Sequence, residues 1–530
     1  MSTQINQNKP NSLLKSSFVV GGMTFISRIS GFMRDIVFAN IFGASASTDA
    51  FFVAFKIPNF FRRLFAEGAF IQAFVPVLNE FKIKNPLQLK KFLSYIQGNL
   101  LIILIFVTVI GIIFSDTIIN IFAPGFSQTE NRHVVASEML QITFPYLLFI
   151  SLTALSAGIF NTFNRFLLPA ITPVVLNISL ITAALYFTQY FTTPIIALAY
   201  GVLAAGILQY AMQMPLLYKI DLLVMPKINF KFEGVNRVIK LMLPAMLGTA
   251  VVQINLVIDS IVASMLAVGS ISWLYYSDRL VEFPLGIFGI AIATVILPAL
   301  SEKFSKDDMN DYKKTLNNAV NIAIVFSLPA MFGLMILSEH IISTLFEYGS
   351  FDINDTAMSS LSLLAYAVGL PAFILMKVLL TGFFSRQDTK TPVKYGIIAV
   401  MFNIVMNISV VLYYFQYPFQ GAHSLLALAT SVSAWIQVIL LYRKLRILGL
   451  VQKNALISSS GVKSLLSCIL MSTALFYTLI DISNWSDKIY YMRGSLLIGY
   501  IIFGSIIYAF VMYLFGYNIK KIIYENYKKS

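Results

Sequence analysis

The chain has 530 residues, of which 58% are apolar and only 12% charged, with a formal net charge of +14. Soluble globular chains run at roughly 45–50% apolar and about 25% charged. The balance therefore argues against a soluble enzyme or a nucleic-acid-binding module and points to a lipid bilayer as solvent. The single cysteine, Cys468, excludes an internal disulfide. His133, His340 and His423 lie apart in the sequence, in or beside loops, and offer no transition-metal cluster. Residues 1–14 are polar, and the first apolar run already contains Arg28 and Arg34, which is not the pattern of a removable signal peptide.

A spanning helix needs about 20 mostly apolar residues. The sequence on this measure predicts an all-α integral membrane protein with fourteen transmembrane helices. They fall at roughly 15–40, 48–80, 92–115, 137–160, 167–188, 194–218, 240–266, 271–301, 315–338, 357–384, 395–414, 422–442, 463–481 and 494–517. With a cytoplasmic N-terminus, the loops returning to that side, together with the tails, hold 28 lysines and arginines, against Arg132, Lys488 and Arg493 on the other side. Basic residues accumulate in cytoplasmic loops, so this alternation supports the span count and places both termini inside.

Helices 1–6 recur as helices 7–12. At an offset of 224 residues, Asp35-Ile-Val-Phe-Ala-Asn lies over Asp259-Ser-Ile-Val-Ala-Ser, and Gly158-Ile-Phe lies over Gly382-Phe-Phe. An offset of 222 sets Phe74-Val-Pro-Val-Leu-Asn-Glu over Ile296-Leu-Pro-Ala-Leu-Ser-Glu. Six is even, so the repeats are parallel. The expected organisation is an N-lobe over 1–218, a cytoplasmic linker over 219–239, a C-lobe over 240–450, and helices 13–14 with a basic tail over 451–530. Two such lobes suit alternating access.

Seven cations remain inside predicted spans: Arg28, Arg34, Lys56, Arg62, Arg63, Arg279 and Lys377. An arginine or lysine at the bilayer centre costs about 2.5–3.5 kcal/mol on insertion scales and is a functional candidate by default. Five of the seven lie in helices 1 and 2, with three acids, Asp35, Asp49 and Glu67. Asp49, Lys56 and Arg63 are spaced by seven and share a helix face. Pro58 is expected to interrupt helix 2, and Gly31 offers helix 1 a place to bend. Helix 8 supplies Asp278, Arg279 and Glu282. The competing reading makes these charges structural ion pairs or snorkelling side chains, and Lys377, alone in its helix, fits it best. The excess of bases favours an anionic ligand, and arginine, with its planar fork, favours phosphate.

These residues carry a resemblance. Ser27-Arg28-Ile-Ser-Gly-Phe-Met-Arg34-Asp35, Phe42-Gly-Ala, and the run from Thr48-Asp49 through Lys56-Ile-Pro-Asn-Phe-Phe-Arg62-Arg63 to Glu67 closely resemble the MurJ (MviN) lipid II flippases. So do Phe160-Asn-Thr-Phe-Asn-Arg165-Phe, Tyr275-Tyr-Ser-Asp278-Arg279-Leu-Val-Glu282-Phe-Pro, and Ser385-Arg386-Gln-Asp388-Thr-Lys390-Thr-Pro. The resemblance covers essentially the whole chain, with helices 13 and 14 least distinctive.

It implies the multidrug/oligosaccharidyl-lipid/polysaccharide exporter fold in a bacterial inner membrane. It also implies movement of the undecaprenyl-pyrophosphate-linked peptidoglycan precursor from the inner to the outer leaflet. Arg28, Arg34, Arg62 and Arg279 match cavity arginines expected to engage the pyrophosphate. Ser27, Asp49, Lys56, Arg63 and Glu282 sit in the same matched motifs and complete the expected substrate site. Helices 13 and 14 are implied to groove the polyprenyl tail. Asp259, Asn403, Asn407 and Thr430 form a candidate sodium site by the same resemblance, against ordinary interhelical hydrogen bonding.

The expected mechanism is alternating access assisted by the membrane potential, with lipid II, membrane lipids and other cell-wall synthesis proteins as partners. The alternative is export of another polyprenyl-linked glycan. An enzyme would need a general base or metal carboxylates at an outer loop, and Asp116, Asp352 and Asp355 do not assemble one in the sequence.

Overall fold

The computed structural model describes residues 10–63, 69–128, 130–456, 458–480 and 485–517. Glu67, Lys9 and the tail lysines lie outside them. The described residues are helical, with no strand among them. Eleven of their helical stretches are long and apolar enough to cross a membrane. The remaining helices include α1 (Pro10–Phe42), α2 (Ala46–Arg62), α3 (Ala69–Lys84) and α11 (Glu233–Ser264), and the first two of these carry Arg28, Arg34, Lys56 and Arg62. A bilayer leaves no water for unpaired backbone groups, and helices satisfy their own.

The chain divides into two compact units, Met1–Met265 and Leu266–Ser530. The first unit also contains α4 (Leu89–Ile113), the short α5 (Ser115–Phe122), α6 (Glu130–Thr143), α7 (Tyr146–Thr162), α8 (Leu167–Thr182), α9 (Ile196–Ala211) and α10 (Met214–Lys219). Here α1 packs on α8, α2 on α6, and α3 on α11. An aromatic stack fills the interior around α3 and α4. The rings of Phe81 and Phe92 lie parallel with centroids 4.4 Å apart, and Phe232 joins them from the approach to α11. Residues 222–232 are fastened along α4. Lys227 donates its N–H to the Ser94 carbonyl, and Asn99 exchanges hydrogen bonds with the backbone of Asn229. A Cβ on Gly98 would fall 2.2 Å from the Lys227 carbonyl oxygen, so only glycine permits this approach.

The second unit holds α12 (Ser270–Pro284), a π-helical turn over Leu285–Ile290, α13 (Ala291–Ser305), α14 (Met309–Ile336), α15 (Ser338–Phe346), α16 (Ile353–Phe384), α17 (Lys390–Gln416), α18 (Ala422–Ile447), α19 (Ser459–Ile480) and α20 (Tyr490–Leu514). The long α16 packs against α12, α14 and α18. Small residues let transmembrane backbones approach. At Gly369 a Cβ would meet the Ser431 hydroxyl at 2.5 Å, and that hydroxyl donates to the Ala365 carbonyl. The α19–α20 hairpin packs on α14 through Val325, Cys468, Met471, Leu475, Tyr508 and Met512. The Tyr508 hydroxyl also donates to the Val325 carbonyl at 2.7 Å.

One local expectation changes. The helix does not break at Pro58, which lies inside α2; the α-helix ends at Arg62. α1 runs on through Gly31, where an added Cβ would lie 3.5 Å from the Asn177 amide nitrogen. A proline within a helix need not end it when neighbouring groups absorb the lost backbone bond.

Candidate functional site

In the first unit the charged residues are held by packing between α1, α2, α6, α8 and α11. Arg34 is buried, and its Nε and Nη2 donate to Asp35 Oδ1 at 3.0 and 2.7 Å. Its Nη1 donates to Asn177 Oδ1 on α8 at 3.1 Å, and its guanidinium lies 5.7 Å from the Phe38 ring centroid. The Asn177 amide donates in turn to the Ser30 hydroxyl at 2.9 Å and to the Ser27 carbonyl at 3.2 Å. This fixes Ser27 through its backbone and orients the arginine. A buried ion pair whose remaining donors are satisfied is the form in which the interior tolerates charge.

Asp49 is also buried, and it stands 3.9 Å from Arg132 on α6. Arg132 was expected in an outer loop; it is instead buried, stacked 4.9 Å from the Phe126 ring centroid. The Asp49 carboxylate explains why it folds inward, since an unpaired buried carboxylate would be costly. Lys56 donates to the Ser260 hydroxyl of α11. Arg62 donates through Nε to Asn59 Oδ1 at 3.0 Å. Arg28 and Arg63 are exposed.

In the second unit Arg279 sits on α12, one turn before Pro284 and the π-helical turn. It donates through Nη1 to Glu282 Oε2 at 2.8 Å and lies 4.8 Å from the Tyr275 ring centroid. Its side chain is 37% exposed against 9% for Arg34. Asp278 is exposed and Lys377 half-buried. π-turns inside helices frequently mark functional segments. Two arginines thus stand in opposite settings. One is locked by a carboxylate and an amide, and the other is tethered to an exposed glutamate at the surface of its unit.

Of the candidate cation ligands, Asp259 belongs to the first unit and the other three to the second. There Asn407 Nδ2 donates to Asn403 Oδ1 at 2.9 Å, and Asn403 Nδ2 donates to Thr430 Oγ1 at 3.3 Å, linking α17 to α18. No group of three or more His, Cys, Asp or Glu residues suited to a metal occurs among the described residues.

Besides Arg132, two buried residues escaped the sequence reading. Asn177 is a lone amide in an apolar run, and that isolation was the available signal. Arg493, expected in an outer loop, is instead buried on α20. It donates to the carbonyls of Lys488 and Ser343 at 2.9 and 3.3 Å and lies 3.7 Å from Glu347.

Residues 38–496 match the family model described as lipid II flippase MurJ. The chain belongs to the MurJ lipid II flippase family. It is 42% identical over 518 residues to a probable lipid II flippase MurJ of Vibrio cholerae, covering 96% of this chain and 97% of that one. It is 38% identical over 448 residues to the lipid II flippase MurJ of Burkholderia cenocepacia, covering 84% and 86%. Among solved structures it resembles a lipid II flippase MurJ in an inward closed conformation, with TM-score 0.79 and 30% identity over 94% of this chain and 98% of that one. An inward-facing multidrug resistance MATE transporter of the MOP superfamily shares the fold alone, at TM-score 0.60 and 13% identity over 82% and 98%. The arginine-bearing helices α2 and α12 lie within the MurJ match, and α1 enters it at Phe38.

Proposed function

We propose that this protein moves lipid II, the polyprenyl-pyrophosphate-linked peptidoglycan precursor, from the inner to the outer leaflet of a bacterial cytoplasmic membrane. The observation that carries this reading is the MurJ match along 38–496 of a helical membrane chain that keeps arginines within its apolar helices. Pyrophosphate presents oxygens that an arginine fork can take in pairs. In this proposal Arg28, Arg62 and Arg279 meet the head group directly. Ser27, Asp49, Lys56, Arg63 and Glu282 complete the site, and Arg34 sets its potential from a buried ion pair. The tail stays against the α19–α20 hairpin.

The finer architecture belongs to the same proposal: fourteen spans, two parallel six-helix lobes and both termini in the cytoplasm. Transport would proceed by alternating access, exposing the arginine-bearing helices first to the inner and then to the outer leaflet. The transmembrane potential contributes about 2.3 kcal/mol per charge per 100 mV. It drives an anionic head group outward and draws an emptied basic site back. The chemistry asked of the residues is recognition and release, so the protein acts as a transporter. Asn403, Asn407 and Thr430, with Asp259, offer only oxygen ligands, which suits a hard monovalent cation such as sodium. A cation taking Asn403 Oδ1 would compete with the Asn407 amide.

The deciding experiment replaces the resident flippase of a bacterium with this chain and measures lipid-linked precursor in each leaflet. Outward movement that is lost in Arg279→Ala, at unchanged membrane abundance, is the expected result. Accumulation of a different polyprenyl-linked glycan on depletion would favour the exporter alternative.

A further inference from the structure

Two motifs of the family resemblance play no part in the proposed site: Phe160–Arg165 and the run beginning at Ser385. Both prove to be the ends of long helices, built alike. α7 closes on Asn164 with φ 58°, and the Arg165 N–H returns to the Phe160 carbonyl at 2.8 Å. α16 closes on Gln387 with φ 60°, and the Asp388 N–H returns to the Phe383 carbonyl at 3.1 Å. This six-to-one bond with a left-handed residue is the Schellman stop. It places the two ends in register at an offset of 223, one residue from the offset read at Gly158.

The helices facing these ends also repeat. α3 ends with Glu80 and Lys84 at 3.5 Å, and α13 ends with Glu302 and Lys306 at 2.6 Å. Two residues past each glutamate stand Lys82 and Phe304. The residue before each left-handed turn is Phe163 in the first unit and Arg386 in the second. Lys82 Nζ lies 4.4 Å from the Phe163 ring centroid and donates to the Thr162 carbonyl at 2.7 Å. The Arg386 guanidinium lies 5.7 Å from the Phe304 ring centroid. The cation sits on α3 in the first unit and at the end of α16 in the second, and the ring is exchanged the other way. In the second unit the duty to the terminal carbonyls falls to Tyr312, whose hydroxyl meets the Gly382 carbonyl and the Ser385 hydroxyl, each at 2.8 Å.

We infer that these are one device used twice, a cation–ring joint coupling α3 or α13 to the C-terminal end of α7 or α16 in the same unit. Lys82, Phe163, Phe304 and Arg386 are on this view positioning residues for transport, coupling α3 and α13 to the rest of their own units. Attraction between a cation and a ring face does not depend on which helix supplies which partner. Exchanging the partners in the first unit should therefore preserve the joint.

The test uses the full chain with Lys82→Phe, Phe163→Arg and the double exchange, assayed for turnover and KM of lipid-linked precursor movement and for thermal melting in detergent. It rests on the proposed transport only for its kinetic half. Each single change is expected to lower turnover at least about threefold with KM within about twofold, and the double to recover to within about twofold of the parent. Melting should show the same non-additivity. A double as impaired as the product of the singles, or single losses expressed in KM, would overturn the joint. If a single variant fails to accumulate, recovery of abundance and melting in the double supports the joint, and continued failure overturns it. If the parent chain moves no lipid II, melting alone decides the joint, so the two readings fail separately.

Discussion

The two units handle intramembrane charge in opposite ways. In the first, Arg34 is buried and closed off by Asp35 and Asn177, and the carboxylate of Asp49 meets a buried Arg132. In the second, Arg279 shares its charge with Glu282 on one helix surface, where both side chains are exposed. The same residue type therefore does two jobs. A buried, neutralised arginine shapes the fold and its local potential, whereas a surface-tethered one is the one that the proposed transport asks to meet a ligand. An intramembrane arginine is not a ligand contact merely because it is intramembrane.

Exchanging alanine for each arginine breaks this comparison most directly. Arg34→Ala removes both guanidinium donors from Asp35 Oδ1, and breaking a buried pair costs about 3–5 kcal/mol, so a large fall in melting temperature is expected. Arg279→Ala should leave melting within about 1 kcal/mol, as exposed pairs contribute little, while abolishing lipid II movement. Equal melting losses in the two variants would erase the distinction.

Arg493→Gln tests whether burial rather than membrane depth sets the cost. Glu347 would lose its buried partner, and a loss of about 2–4 kcal/mol is expected, read as selective protease sensitivity around α19–α20. Glu282→Gln should have a smaller effect on stability, within about 1 kcal/mol. It should tighten binding of a pyrophosphate lipid by releasing Arg279, which a competition assay would detect; weaker binding would instead place Glu282 itself in the ligand contact.

The smallest effect concerns His340 on α15, beside Trp485 with ring centroids 4.7 Å apart. Burial pushes its pKa below the ordinary histidine value, opposed by the nearby Glu339 charge. The folded state thus binds the proton less readily than the unfolded chain. The stability this confers is complete above the unfolded histidine pKa, about 6.5, and is lost as pH falls toward the folded one. A modest loss of melting temperature on acidification, flattened in His340→Gln, is expected. An unchanged pH slope in that variant would remove His340 from the account.

Much of this was legible in the sequence, because the bilayer imposes one-dimensional rules. Apolar runs of the right length, basic loops on alternate sides, and charges lodged within those runs all follow from solvation, which each stretch of chain obeys separately. The sequence thus determined the membrane class and the helical content, and it singled out the cations that lie within apolar runs. It could not decide which of them meets which partner. Arg34 finds Asn177 across 143 positions of chain, and Arg132 and Arg493 look like loop charges until packing turns them inward. The exchange of cation and ring between Lys82–Phe163 and Phe304–Arg386 hides the joint from residue matching, since neither position keeps its residue type. Pairing is a matter of which surfaces meet in three dimensions, and only the tertiary structure brings those surfaces together.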